Sequence, residues 1–269
     1  MPPSHEPLSA ESIRAALAHV PFVREVVYLP SVGSTNDAAR ELGERGAPHA
    51  TLVVADHQTQ GRGRLGRSWY TPTRAALAMS ILIRPDLAAA HVNRLTMLAG
   101  LASAEGVQRA TGLPVKLKWP NDLVILKAES GTLKLGGILC ESAITGEKVE
   151  YAVVGIGLNV NVDFDDQPDL DGLATSLRLQ LGRDVDRLSV LASVIERFVV
   201  RFAELDHGDD LCRAWSRYLV TLGRRVEARS GDEVKVGLAE AVDDDGALLL
   251  RTSDGVRHRL LAADVTLQT

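Results

Sequence analysis

Between residues 115 and 162 four strand-like runs, VKLKWP, LVILK, LGGILCESAI and EYAVVGIGLNVNV, follow one another with short connections. Such a cluster commits the middle of the chain to an antiparallel or mixed sheet, since purely parallel neighbours need long crossovers. Further strands are predicted at VREVVYLP (23–30), TLVVAD (51–56) and ALAMSILI (76–83). Helices are predicted over 9–19 with Ser9 as N-cap, behind Ser34 and Thr35 with their hydroxyls placed to cap, from Asp86 to about Ala110 with Asp86 as cap, and over 186–206 and 209–221. Residues 163–181 read as an acidic surface loop with a short helix. Beyond Gly223, short strands separated by SGDE, DDDG and SDG turns predict a compact all-β module. The expected division is therefore 1–221 and 222–269.

A chain of 269 residues can bury a substantial core, and its net charge of −5 argues against wholesale binding to nucleic acid or an anionic membrane. The two cysteines, Cys140 and Cys212, have no paired spacing, which fits a reducing compartment and offers no zinc site. The N-terminus lacks a signal-peptide pattern, and no run reaches the roughly 20 apolar residues of a membrane span, so the expected location is cytoplasmic.

Against that acidic background GRGRLGR, residues 61–67, packs three glycines and three arginines into seven positions, followed by Trp69. Arginine forks and glycine-freed amides make a receptor for phosphate or carboxylate oxygens. The loop spells G-x-G-x-x-G, but a strand follows where a dinucleotide site needs a helix, and it lacks the lysine of a Walker A loop. Nucleic-acid binding, with Trp69 stacking on a base, and a plain basic surface loop stay open on this stretch alone. KWPND (118–122), KLGGILCE (134–141) and GIGLNVN (155–161) add charged and polar residues on or beside apolar strands, with Lys118, Lys134 and Asp122 in one sheet region. His57 has no companion at metal-ligand spacing and reads as structural, and no metal-ligating set is predicted.

Taken in order, STN (34–36), HQTQGRGRLGRSW (57–69), KWPND, KLGGIL and GIGLNVN resemble the biotin protein ligases over about half of the chain, with the C-terminal module similar to that family's small SH3-like domain. The resemblance implies an α+β fold: a class II aminoacyl-tRNA-synthetase-like catalytic domain with a mixed, mostly antiparallel sheet and flanking helices, plus a C-terminal SH3-like β-barrel. It implies that biotin and ATP, with Mg2+ as accompanying ion, form biotinyl-5'-AMP, and that biotin then passes to a lysine of a biotin carboxyl carrier protein. By the same resemblance Arg62 and Arg64 contact the biotin carboxylate and adenylate phosphate, Gly63 allows backbone approach between them, and Gly61 belongs to the biotin site. Lys134 bridges biotin carboxyl and α-phosphate, and Lys118 adds charge. Ser34, Thr35, Asn36 and Gln58 serve the ureido ring, with Gly137, Gly155 and Gly157 in the biotin site. Arg67, Trp69, Asn121 and Asn159 lie on the nucleotide side. Asp122 either orients or deprotonates the incoming lysine, or pairs with Lys118. The stretch before Ser34 offers one helix, too little for the DNA-binding module some relatives carry, so no DNA partner is expected. Lipoate-type ligation and a binding-protein role are the rival readings, and monomer and homodimer are both compatible.

Overall fold

A computed structural model describes residues 8–127 and 131–268. Residues 1–7 of the stretch read for a targeting signal, and Thr269 of the C-terminal module, lie outside the described residues. The elements run α1 (Ala10–Ala16), β1 (Glu25–Leu29), α2 (Thr35–Glu44), β2 (Thr51–Ala55), β3 (Ala76–Ile83), α3 (Arg94–Thr111), β4 (Lys116–Lys118), β5 (Asp122–Leu126), β6 (Thr132–Thr145) and β7 (Lys148–Asn159). They continue with α4 (Leu177–Leu181), α5 (Arg187–Phe202), α6 (Gly208–Ser216), β8 (Arg225–Ser230), β9 (Glu233–Val242), β10 (Leu248–Thr252), β11 (Arg257–Leu260) and β12 (Asp264–Leu267).

Seven strands form one sheet in the order β1-β2-β3-β7-β6-β5-β4. Only β1 and β2 are parallel, and the stretch between them carries α2, as a parallel crossover requires. Every other neighbour is antiparallel. The β3 run is buried at all eight positions because both faces are covered. Leu77, Met79, Ile81 and Ile83 join the large core with α3 and α5, while Leu82 meets Ala39 of α2 on the opposite face. The second sheet, β11-β10-β9-β8-β12, is antiparallel throughout. No helix among the described residues is long and apolar enough to cross a membrane.

Two helix starts differ from the sequence reading. Ser9 caps α1 through a reciprocal capping box with Ser12 as expected, but the long third helix begins at Arg94, not at Asp86. Residues 87–89 send their backbone bonds to the β6–β7 hairpin instead, with Val149 N donating to Leu87 O and Ala89 N to Glu147 O. Asp86 is therefore no cap; it is exposed and pairs with Lys148 Nζ at 2.7 Å. Ser34 does occupy the N-cap position of α2, yet its side chain accepts no cap bond. The predicted helices over 186–206 and 209–221 are shorter: α5, capped by Asp186 as its start implies, gives way after Phe202 to turns in which Glu204 N donates to Arg201 O and Leu205 N to Phe202 O, and residues 218–220 pair beside β4.

Candidate active site

The sheet builds the site by pairing small residues across strands. Ala78 of β3 lies opposite Gly157 of β7, Gly157 opposite Gly137 of β6, Gly137 opposite Asp122 of β5, and Asp122 opposite Lys118 of β4. One row across five strands thus begins with almost no side chain and ends in charge. The next row sets Ser80 against Gly155 and Gly155 against Leu139. Above this floor lies a cavity of about 370 Å³, walled by the N-terminus of α2, the 62–70 loop, the 118–122 segment and β12.

Lys134 reaches the floor through a bulge. Leu123 pairs with Gly136 but Val124 pairs with Lys134, so Leu135 is the extra residue on β6. In a regular strand residues 134 and 137 would face opposite ways; the bulge puts Lys134 on the Gly137 face. Its Nζ is 2.6 Å from Asp122 Oδ1 and 5.7 Å from the Trp69 ring centroid. Asp122 pairs directly with Lys134, a partner the sequence reading did not assign, since that reading offered Lys118 or the incoming lysine. Burial is the main influence holding the Lys118 ammonium below its ordinary pKa; Asp122 opposes it and Lys134 adds to it. Burial likewise lowers Arg64, against the raising effects of Asp264 and Asp122.

The other end of the trough is neutral. Gln58 Oε1 accepts from Thr35 N at 2.8 Å and Thr35 Oγ1 at 3.1 Å, and Gln58 Nε2 donates to Thr71 Oγ1 at 3.2 Å. Asn36 Nδ2 donates to Leu139 O at 3.1 Å and to Glu141 Oε2 at 2.7 Å, while Ser80 Oγ stands 2.7 Å from Asn36 Oδ1. Asn36 thereby ties α2 to β3 and β6. Gly155 is required for this closeness, because a Cβ there would stand 2.2 Å from Asn36 Oδ1. Gly155→Ala should lower stability by about 1–3 kcal/mol through overpacking; an unchanged urea midpoint would show that Asn36 yields freely.

The GRGRLGR stretch closes as a hairpin. Gly63 N donates to Arg67 O and Trp69 N to Gly61 O, with Leu65 and Gly66 both left-handed at φ 55 and 74°. Gly61 lies buried beneath the Trp69 carbonyl, which a Cβ would approach to 2.4 Å, and does not line the cavity. Its backbone packs under Trp69, while the expected biotin-site residues Arg62 and Gly63 beside it line the cavity. Arg62 Nη2 lies 2.7 Å from Asp37 and 3.3 Å from Glu141, Arg64 Nη1 lies 3.4 Å from Asn121 Oδ1, and Arg67 pairs with Asp264. Trp69 packs its indole edge on Gly157, where a Cβ would meet Nε1 at 2.7 Å. Asn159 Nδ2 donates to Thr175 O at 3.1 Å. His57 Nδ1 lies 2.8 Å from Thr71 O.

Of the residues singled out in the sequence, Ser34, Thr35, Asn36, Gln58, Arg62, Gly63, Arg64, Arg67, Trp69, Lys118, Asn121, Asp122, Lys134, Gly137, Gly155, Gly157 and Asn159 all line one cavity. Sequence reading missed Asp264, Val265 and Thr266 of β12, and Phe164, Leu170 and Ala174 from the acidic loop. An ordinary strand and an acidic stretch carry no local signal that they fold over a distant sheet.

A mixed sheet bearing a polar trough that ends in cations, with a small antiparallel domain against it, suits a ligand with an anionic end, and similarity to known proteins places the chain among the protein ligases. The Biotin/lipoate A/B protein ligase family model matches residues 28–159, and the Biotin protein ligase C terminal domain model matches 221–267. Bifunctional ligase/repressor BirA of Bacillus subtilis is 35% identical over 263 residues, spanning 97% of this chain and 79% of that protein. The Biotin--[acetyl-CoA-carboxylase] ligase of Paracoccus denitrificans is 34% identical over 244 residues, 88% of this chain and 98% of that one. The solved biotin protein ligase from Aquifex aeolicus in complex with biotin and ATP superposes with a TM-score of 0.75 at 28% identity, covering 91% of this chain and 99% of that one. The chain belongs to the biotin protein ligase family.

Proposed function

We propose that this protein attaches biotin to a lysine of a biotin carboxyl carrier protein, in the cytoplasm, through biotinyl-5'-AMP. The observation that carries the site assignment is the row from Ala78 to Lys118, a neutral trough delivering a carboxylate to clustered cations. In the first step a biotin carboxylate oxygen bonds to the α-phosphorus of ATP as the bond to the β-phosphate oxygen breaks, releasing pyrophosphate. Two anions must meet, so fixed positive charge where they meet is the main catalytic requirement. Lys134 stands at the junction, Arg64 and Lys118 flank the phosphate side, and Arg62 exchanges Asp37 and Glu141 for the ligand. The Arg67–Asp264 pair and Trp69 close the nucleotide end, keeping water from the mixed anhydride. In the second step the carrier lysine's neutral amine bonds to the biotin carbonyl carbon, AMP leaves, and Asp122 is placed to take the proton. Magnesium supplies charge neutralisation on the ATP phosphates. Among the described residues no group of three or more His, Cys, Asp or Glu forms a metal site. Asp122 and Asn159, which line the cavity, are the side chains that would help hold the ion with the nucleotide.

The decisive experiment follows the mass of a carrier domain incubated with protein, biotin and MgATP, with lipoate as competitor. Addition of one biotin, dependent on ATP and indifferent to lipoate, is expected; transfer of lipoate instead would overturn the reading.

The lowered pKa of Lys118 gives a signed expectation. The ammonium is present below its pKa and lost above it, so pyrophosphate release should decline with rising pH below the ordinary lysine value of 10.5. Asp122 holds that pKa up, so Asp122→Asn should move the alkaline limb to lower pH. A limb that stays in place or moves upward would remove Lys118 from the adenylation step.

A further inference from the structure

The turn joining β9 to β10, residues 243–246, reaches out of the C-terminal sheet into the catalytic sheet. His91 Nδ1 and Asp245 Oδ1 are 2.6 Å apart, and Arg94 Nε, at the start of α3, lies 3.6 Å from the same oxygen. Gly246 is left-handed at φ 75°, and Met97 Sδ would stand 2.7 Å from any Cβ there. Its carbonyl accepts from Trp119 Nε1 at 2.8 Å. Trp119 is only 1% exposed, and its backbone N donates to Thr221 Oγ1 at 2.9 Å. Leu117 N donates to Tyr218 O, and Val220 N donates to Leu117 O, so the segment entering the C-terminal module covers the outer side of β4.

Trp119 is the residue between Lys118 and the Pro120-Asn121-Asp122 turn. Its indole N–H is engaged by Gly246 of the other domain, while Lys118 before it and Asp122 three residues on carry charge in the cavity wall. β4 is three residues long and is held between β5 and residues 218–220, and Trp119 lies just beyond its end, bonded to Thr221 Oγ1 and Gly246 O. We propose that the 243–246 turn, through Asp245 and the Gly246 carbonyl, positions Trp119 and thereby sets Lys118 and Asp122 for adenylation. The inference deepens the ligase reading and rests on it. A displacement of about 1 Å in a reacting group can cost on the order of a hundredfold in rate. The biotin end of the trough is built from α2, Gln58 and β7, whose named hydrogen bonds run to Thr71, Ser80, Leu139 and Glu141 rather than to the 243–246 turn.

The test compares wild type, Trp119→Phe, Asp245→Ala, Asp245→Asn and the double variant Trp119→Phe/Asp245→Ala. Pyrophosphate release is measured per biotin-binding site, and the sites are counted by titration so that misfolded protein is not scored. Trp119→Phe removes the N–H donor together with the five-membered ring, so unfolding by urea is followed alongside to separate the cavity's cost in stability from the effect on rate. Both Trp119→Phe and Asp245→Ala should lower kcat about tenfold, leaving biotin affinity and stoichiometry within about twofold. Asp245→Asn, which retains an acceptor for His91, should recover most of the rate. The double variant should be no slower than the slower single, as expected for two members of one linkage. Wild-type kcat in Trp119→Phe, a loss seen as weaker biotin binding, or full additivity would each overturn the proposal. Absence of ATP-dependent biotin transfer by wild type would instead remove the ligase reading, a separate outcome read in the same series.

Discussion

Lys134→Ala is expected to slow pyrophosphate release by about 10²–10³-fold, the cost of removing one preorganised group that stabilises charge in a water-poor site. The loss is more than one cation. Lys134 Nζ stands 2.6 Å from Asp122 Oδ1, so its removal turns an uncovered carboxylate toward two incoming anions. The residue is also well anchored: its N donates to Leu173 O at 2.8 Å and its O accepts from Thr175 N at 2.9 Å, so alanine should not disturb the strand. Lys134→Arg should recover little, since Nζ and Cε already lie 3.7 and 3.6 Å from where a Gly137 Cβ would stand and the space suits a compact ammonium. Pyrophosphate release within about threefold of wild type in Lys134→Ala would sink the assignment of Lys134 to the reacting centre.

The largest effect on stability is expected away from the site. Asp56, at the end of β2, accepts from Arg187 Nη1 at 2.7 Å and from Tyr28 OH at 2.8 Å, and both members of the ion pair are 3% exposed. Burial first, and the Asp56 contact second, push the Tyr28 phenol up to about 12. Removing one partner of a buried pair leaves the other charge in a medium that solvates it poorly, a cost of about 3–5 kcal/mol. Asp56→Ala should therefore lower the urea midpoint of unfolding by that much stability, with Asp56→Asn intermediate because it keeps an acceptor for Tyr28. A change below about 1 kcal/mol, within the range of ordinary surface substitutions, would mean that water reaches the pair. Asp56 O also accepts from Arg74 N, and His57 follows directly. Loosening this corner should raise the biotin requirement of the enzyme as well.

Much of the architecture was legible in local pattern. β3 falls on the predicted residues 76–83, the four central strands stand in the expected succession, and Ser9 caps the first helix. The start of α3 was not legible, because residues 87–89 satisfy their backbone through the β6–β7 hairpin, a partner some sixty positions away. The predicted site residues were legible as a set through the motifs, and all of them but Gly61 line the cavity. The contribution of Asp264 was not, since a carboxylate on an edge strand becomes informative only beside Arg67.

By itself, then, the amino-acid order determined which segments become strands, where glycines keep a floor free of side chains, and which cations are available. These are properties of neighbours a few positions apart, governed by backbone sterics and apolar periodicity. The tertiary structure alone decided that the cations meet. The bulge at Leu135 turns Lys134 onto the Gly137 face against the strand's own alternation, strand register aligns Ala78, Gly157, Gly137, Asp122 and Lys118, and the 243–246 turn closes on Trp119 from the other domain. Each depends on long-range pairing, where the free energy of burying two surfaces together overrides what either segment would do alone.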